Sequence, residues 1–172
     1  MKIIGFIYRD GKAEMVLKGD SCLLNGRKPL FLPEDCKELG ATPCLILRVS
    51  RLGKSIAEQF ANRYYDAVAP GFDFVDLAKQ RTAIEHGTPW TEAIDFDYSL
   101  ALGEWMIDNG QWTMDNLLLS PEEAIARASK IMTIRQGDLI YIQAKQAPRV
   151  VEKEEVLRIE FDGKERVYCK IK

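Results

Sequence analysis

Chemistry in this chain has few residues to draw on: one histidine, four cysteines, and 26 acidic side chains set against 24 basic ones. The cysteines stand at 22, 36, 44 and 169 without a Cys-x-x-Cys pair, and His86 is the sole imidazole. That set fits no zinc-site spacing, so four free thiols are expected. Cys44 opens the apolar run Cys-Leu-Ile-Leu-Arg-Val, where a thiol serves as a small buried hydrophobe. A nucleophilic role for it would need a base. Only His86 is available, in Glu-His-Gly-Thr-Pro at a helix end, where a protonated imidazole suits the C-terminal dipole. Among the carboxylates, Asp97 reads as the holder of a turn and Glu104, in Leu-Gly-Glu-Trp, as a surface or hydrogen-bonded acid. Trp90 and Trp105 read as core or pocket wall.

Composition narrows the partners. Net charge is −2 over 172 residues and basic residues cluster nowhere, which excludes nucleic acid and acidic membranes. No apolar run approaches the ~18 residues that a bilayer span requires. The start, Met-Lys-Ile-Ile-Gly-Phe-Ile-Tyr, reads as a strand because Arg9 and Asp10 interrupt it too early for a signal peptide. A single domain over residues 1–172 in the cytoplasm is the expectation.

The elements that must position these groups alternate short strands with two marked helices. Residues 2–8 and 14–18 read as strands, 22–33 as an extended stretch, and 44–49 as a buried strand. Ser55 is expected to open a helix, with Glu58 completing a Ser-x-x-Glu capping box and Ile56, Phe60 and Tyr64 forming its apolar stripe. A second box, Ser120-Pro121-Glu122-Glu123, adds a proline at the first helical position. Ile125, Ala128, Ile131 and Met132 are its expected buried face. A strand follows Gly137-Asp138, and residues 156–172 read as a hairpin around Asp162-Gly163, a dipeptide suited to a type I′ turn. The sum is a β-rich α+β domain.

The segment from Arg48 to Asp73, with its Gly53-Lys54-Ser55-Ile56 turn, resembles the core of the fumarylacetoacetate hydrolase family. There a strand carrying Glu-x-Glu leads to a Gly-Lys/Arg-x-Ile turn, a helix and a second strand. The block Trp90-Thr-Glu-Ala-Ile-Asp-Phe-Asp97, with Ala101-Leu-Gly-Glu-Trp105, is similar to the family's Trp-Thr-x-x-Lys-Ser-Phe-Asp and Pro-Leu-Gly-Pro-Trp. Met132-Thr-Ile-Arg-Gln-Gly-Asp138 resembles its Met-Thr-Leu-x-Pro-Gly-Asp. These matches span residues 28–143 and imply the family's mixed β-roll. They also imply its chemistry: a Mg²⁺-type ion, held by hard oxygen ligands, assists hydrolysis, decarboxylation or tautomerisation of β-dicarbonyl and keto acids.

On that resemblance the chain is a shortened and degenerate member. Counting back from Gly53-Lys54, the two glutamates fall on Thr42 and Cys44. The third carboxylate falls on Asp73, either a relict ligand or a buried acid hydrogen-bonded to a strand end. The family's lysine falls on Ile94. Its histidine loop has no counterpart near Tyr8, and its Thr-Gly-Thr-Pro lid reads Gln143-Ala-Lys-Gln-Ala-Pro148. Thr42, Cys44, Asp73 and Ile94 thus mark the substrate pocket, with Asp73, Asp97 and Glu104 as relict carboxylates and no metal expected. The resemblance implies a binding, regulatory or subunit-like protein, a homodimer or the partner of an intact paralogue, with a small keto acid as candidate ligand. The competing expectation is a divergent hydrolase, isomerase or decarboxylase using Mg²⁺ or Mn²⁺ on an acylpyruvate-like acid.

Overall fold

A computed structural model describes residues 1–107 and 114–172. Strands β1 (Ile3–Arg9), β2 (Lys12–Lys18), β3 (Leu23–Asn25), β4 (Leu39–Val49) and β5 (Tyr65–Asp76) precede helices α1 (Leu77–His86) and α2 (Thr91–Ile94). Strands β6 (Leu100–Leu102) and β7 (Met106–Ile107) lead to helix α3 (Pro121–Ile131). Strands β8 (Leu139–Gln143), β9 (Arg149–Val151), β10 (Val156–Phe161) and β11 (Lys164–Lys170) complete the chain. The class is α+β, as the sequence implies. Two compact units divide it, residues 1–20, 44–69 and 105–147 in the first, and 21–43, 70–104 and 148–172 in the second.

In the first unit β1 pairs antiparallel with β2 and parallel with β8, and Cys44–Arg48 of β4 pairs antiparallel with β8. Ile4, Phe6, Leu45, Leu47, Ile140 and Ile142 supply one apolar face, onto which α3 packs Ala124, Ile125 and Ala128. Strand side chains alternate between faces, so Gly5, Cys44, Tyr141 and Gln143 look the other way. Helix α3 begins as its sequence dictates: the Ser120 hydroxyl accepts from the Glu123 amide at 3.1 Å, and Pro121 occupies the first turn. Its end departs from expectation. Ile131 is 64 % exposed, whereas Ala128 and Ser129 of the same turn are fully buried, so Ile131 falls off the helix's buried face.

The Ser55 helix is not formed. Ser55 has φ +52°, its amide donates to the Ser129 carbonyl (2.9 Å), and the Ile56 amide donates to the Ser129 hydroxyl (2.9 Å). With these amides taken by α3, only a 3₁₀ turn, Glu58–Arg63, follows. Ile56 is buried, Tyr64 is half-buried and Phe60 is exposed, so the proposed stripe does not face one core.

In the second unit β6 pairs parallel with β3 and antiparallel with Gly71–Asp73 of β5, while β9 pairs with Leu39–Ala41 of β4. Leu39, Ala41, Phe72, Phe74, Leu157 and Val167 belong to its core. The expected extended stretch 22–33 is shorter: a 3₁₀ turn ends at Cys22, β3 spans three residues, and Leu30 bridges Ile171. Strand β4 begins five residues earlier than the apolar run suggests, since Gly40 and Pro43 interrupt the pattern without breaking the strand. Of helix α1 only the end, at His86, is among the expected features. Asp76 caps it, accepting from the Lys79 amide at 3.1 Å, and Gly87 ends it at φ +65°. The hairpin of β10 and β11 turns at Asp162 (φ +51°) and Gly163 (φ +68°), the conformation a type I′ turn demands.

Candidate functional site

Thr42 and Cys44 alternate along β4 with Ala41 and Leu45, which enter the two cores, so both side chains take the strand's other face. Both are fully buried; Thr42 belongs to the second unit and Cys44 to the first. The Thr42 hydroxyl has no hydrogen-bond partner among the described residues. Asp73, 4 % exposed, alternates with the core residues Phe72 and Phe74 on β5. Ile94 is buried at the end of α2.

The remaining candidates are elsewhere on the surface. Asp97 is exposed in a turn whose next residue, Tyr98, has φ +66°. Glu104 is exposed and paired with Lys164 (2.9 Å) and Arg166 (3.3 Å). The hydrogen bond from Lys164, with its charge and that of Arg166, holds the Glu104 carboxyl below the ordinary range. No disulfide joins the cysteines among the described residues, and burial pushes the Cys169 thiol up to about 11. His86 is exposed and donates through Nδ1 to the Thr82 carbonyl at 2.8 Å, closing the last turn of α1. Trp90 and Trp105 are both half-buried, and the Arg48 guanidinium lies 5.5 Å from the Trp105 ring centre.

The family's divalent ion needs several anionic oxygens, and the residues present do not supply them. Thr42 offers a neutral hydroxyl, Cys44 a thiol, and Asp73 the single carboxylate of the three positions. Hard ions such as Mg²⁺ prefer carboxylates and water over such donors. Among the described residues no group of three or more His, Cys, Asp and Glu side chains converges as a metal site.

Sequence reasoning missed a buried cation. Lys18, on β2, is 4 % exposed, and its ammonium lies 5.8 Å from the centre of the Tyr141 ring. Tyr141 in turn lies across Gly5: a Cβ there would meet its Cζ at 2.1 Å. On the same strand, Gln143 accepts from the Tyr8 amide at 2.8 Å and stands in register with Cys44. The available signal was Gly5 itself, since a glycine inside an apolar strand marks the close approach of another group.

Comparison with known proteins agrees with the motifs. The sequence is 24 % identical over 168 residues to the mitochondrial oxaloacetate tautomerase FAHD1 of Rattus norvegicus, covering 87 % of this chain and 76 % of that protein. The structure superposes on a protein from Yersinia pestis CO92 assigned to the fumarylacetoacetate hydrolase family, with a TM-score of 0.86 at 17 % identity, covering 99 % of this chain and 91 % of that one. The chain is thus similar in sequence to this tautomerase and shares the fold of fumarylacetoacetate hydrolase family proteins. No family model matches it. A member of like fold is the fumarylpyruvate hydrolase of Pseudomonas aeruginosa, determined in complex with Mn²⁺ and pyruvate (TM-score 0.86, 16 % identity, 99 % and 89 % of the two chains covered). Among the described residues, no helix is long and apolar enough to cross a membrane.

Proposed function

We propose that this chain is a family member that has given up metal-assisted cleavage of β-dicarbonyl acids and acts as a binding or subunit-like protein. The observation that carries the reading is Thr42: a fully buried side chain with an unsatisfied hydroxyl at a position the family fills with a metal-binding glutamate. Cys44 and Ile94 extend the same replacement to the second glutamate and the lysine. A homodimer, formed through the retained scaffold, is part of the proposal and is checked by light scattering at micromolar concentration. The direct test is calorimetric titration of the purified chain with Mn²⁺, alongside assays of acylpyruvate cleavage and oxaloacetate tautomerisation. Neither saturable binding nor turnover is expected; one ion per chain, lost in Asp73→Ala, would overturn the reading.

A second reading is favoured by Lys18. Its side-chain nitrogen is buried beside Tyr141, and a positive charge held there would stabilise an enolate without a metal. A metal-independent tautomerase acting on a small keto acid follows. Activity that survives excess chelator and disappears in Lys18→Met, with the fold kept, selects this reading over the first.

A further inference from the structure

We propose that a cleft in the second unit, formed against α1 and α2, binds a small organic cation, an alkylammonium or alkylguanidinium, with Asp76 as its anchor. The site is independent of the family's metal positions, which do not line it. The cleft holds about 490 Å³, within the usual range for small-molecule sites.

Asp76 is 2 % exposed. One of its oxygens caps α1 through the Lys79 amide at 3.1 Å. The other, Oδ2, has no hydrogen-bond partner among the described residues, although the residue lines the cleft. Its closest ion-pair partner is the Lys79 ammonium at 4.0 Å, and that ammonium rests on Asp35 at 2.6 Å. A buried carboxylate oxygen held only by a long ion pair recovers little of the hydration it has lost. The Cys36 thiol beside it is pushed up to about 11, first by burial and then by the charge of Asp76 and a side-chain hydrogen bond with it.

The lining selects the kind of ligand. Its charged members are Asp35, Asp76 and Glu92 against Lys37 and Lys79, a surplus of one negative charge, so an anion is disfavoured. The acids do not converge on one point as a metal site would. The cleft instead carries apolar surface from Ala83, Ala93 and the half-buried Trp90. An alkyl stem fits such a wall, and an indole attracts an organic cation.

The test is an NMR titration of the full chain with n-butylammonium, with butyrate and butanol as matched controls. Saturable shifts of the Trp90 indole and the Asp76–Lys79 amides are expected for the amine alone, at concentrations below about 50 mM. Asp76→Asn removes the charge but keeps an oxygen able to cap α1, and weakens binding about tenfold or more. The proposal is overturned if butyrate or butanol binds as well as the amine, if Asp76→Asn binds it equally, or if no shift saturates, in which case water alone serves Oδ2. Should Asp76→Asn fail to fold, Glu92→Gln and Trp90→Leu take its place, and unweakened binding in both overturns the proposal equally.

Discussion

The turn at Asp138 and the strand segment at Thr42 both bury a polar side chain, and they treat it in opposite ways. Asp138 accepts from the Lys2 amide (2.8 Å) and the Arg135 amide (2.8 Å), and pairs with the Lys2 ammonium at 2.7 Å. The Thr42 hydroxyl meets no partner among the described residues. Asp138 stands in a stretch that resembles a family motif, whereas Thr42 stands where that resemblance departs. The difference lies in what each residue holds. Asp138 ties down backbone whether or not a ligand is present. A buried Glu-x-Glu is favourable only while a cation neutralises it, so once the cation is given up, two buried carboxylates destabilise the fold.

The contrast is broken most forcefully by restoring the family residues. The triple variant Thr42→Glu, Cys44→Glu, Ile94→Lys should lose about 4 kcal/mol of stability without metal. Its melting temperature should rise on adding Mn²⁺ if the new carboxylates converge. A variant as stable as the parent in chelator would mean that this face is already wet and open.

Next in size, Asp138→Ala should cost about 3 kcal/mol in urea unfolding, since it strands two amides and an ammonium. Burial alone would raise the Asp138 carboxyl, but the Lys2 and Arg135 bonds outweigh it and hold the group below its ordinary 3.8. Its contribution is therefore complete above the unfolded value and is lost as pH falls below about 4 toward the lowered folded value. Parent and variant stabilities should converge across that acid range; a constant gap down to pH 2.5 would assign the effect to packing.

Ser120→Ala tests the retained scaffold at its helix cap, with an expected cost of about 1 kcal/mol. The smallest effect has the opposite sign. Thr42→Val replaces an unpartnered hydroxyl with a methyl and should be neutral or stabilising by up to about 1 kcal/mol. A loss of 2 kcal/mol or more in denaturant melts would show that the hydroxyl is bonded after all.

Ser55 and Ser120 show how far the sequence could be read. Both begin a Ser-x-x-Glu box, and only Ser120 caps an α-helix: its backbone is extended as a cap requires, whereas a distant segment claims the Ser55 amide and Ser55 has φ +52°. At Ser55 the claim comes from Ser129, 74 residues away along the chain in α3. The resemblance reaches Thr42, Cys44 and Ile94 only by counting from neighbouring motifs, and the structure adds that all three are buried. Lys18 was not legible, since a lysine at a strand end ordinarily faces water, and it is buried here by Tyr141 lying over Gly5.

What the sequence by itself determined are the features whose partners lie within a few residues: the α+β class, the Asp162-Gly163 hairpin and the Ser120 cap. The tertiary structure alone decided the fate of Ser55, the burial of Lys18, and the half-satisfied Asp76 at the wall of its cleft. Local bonds follow from backbone geometry and residue type, whereas those three depend on which distant segments arrive beside them and how much water they displace.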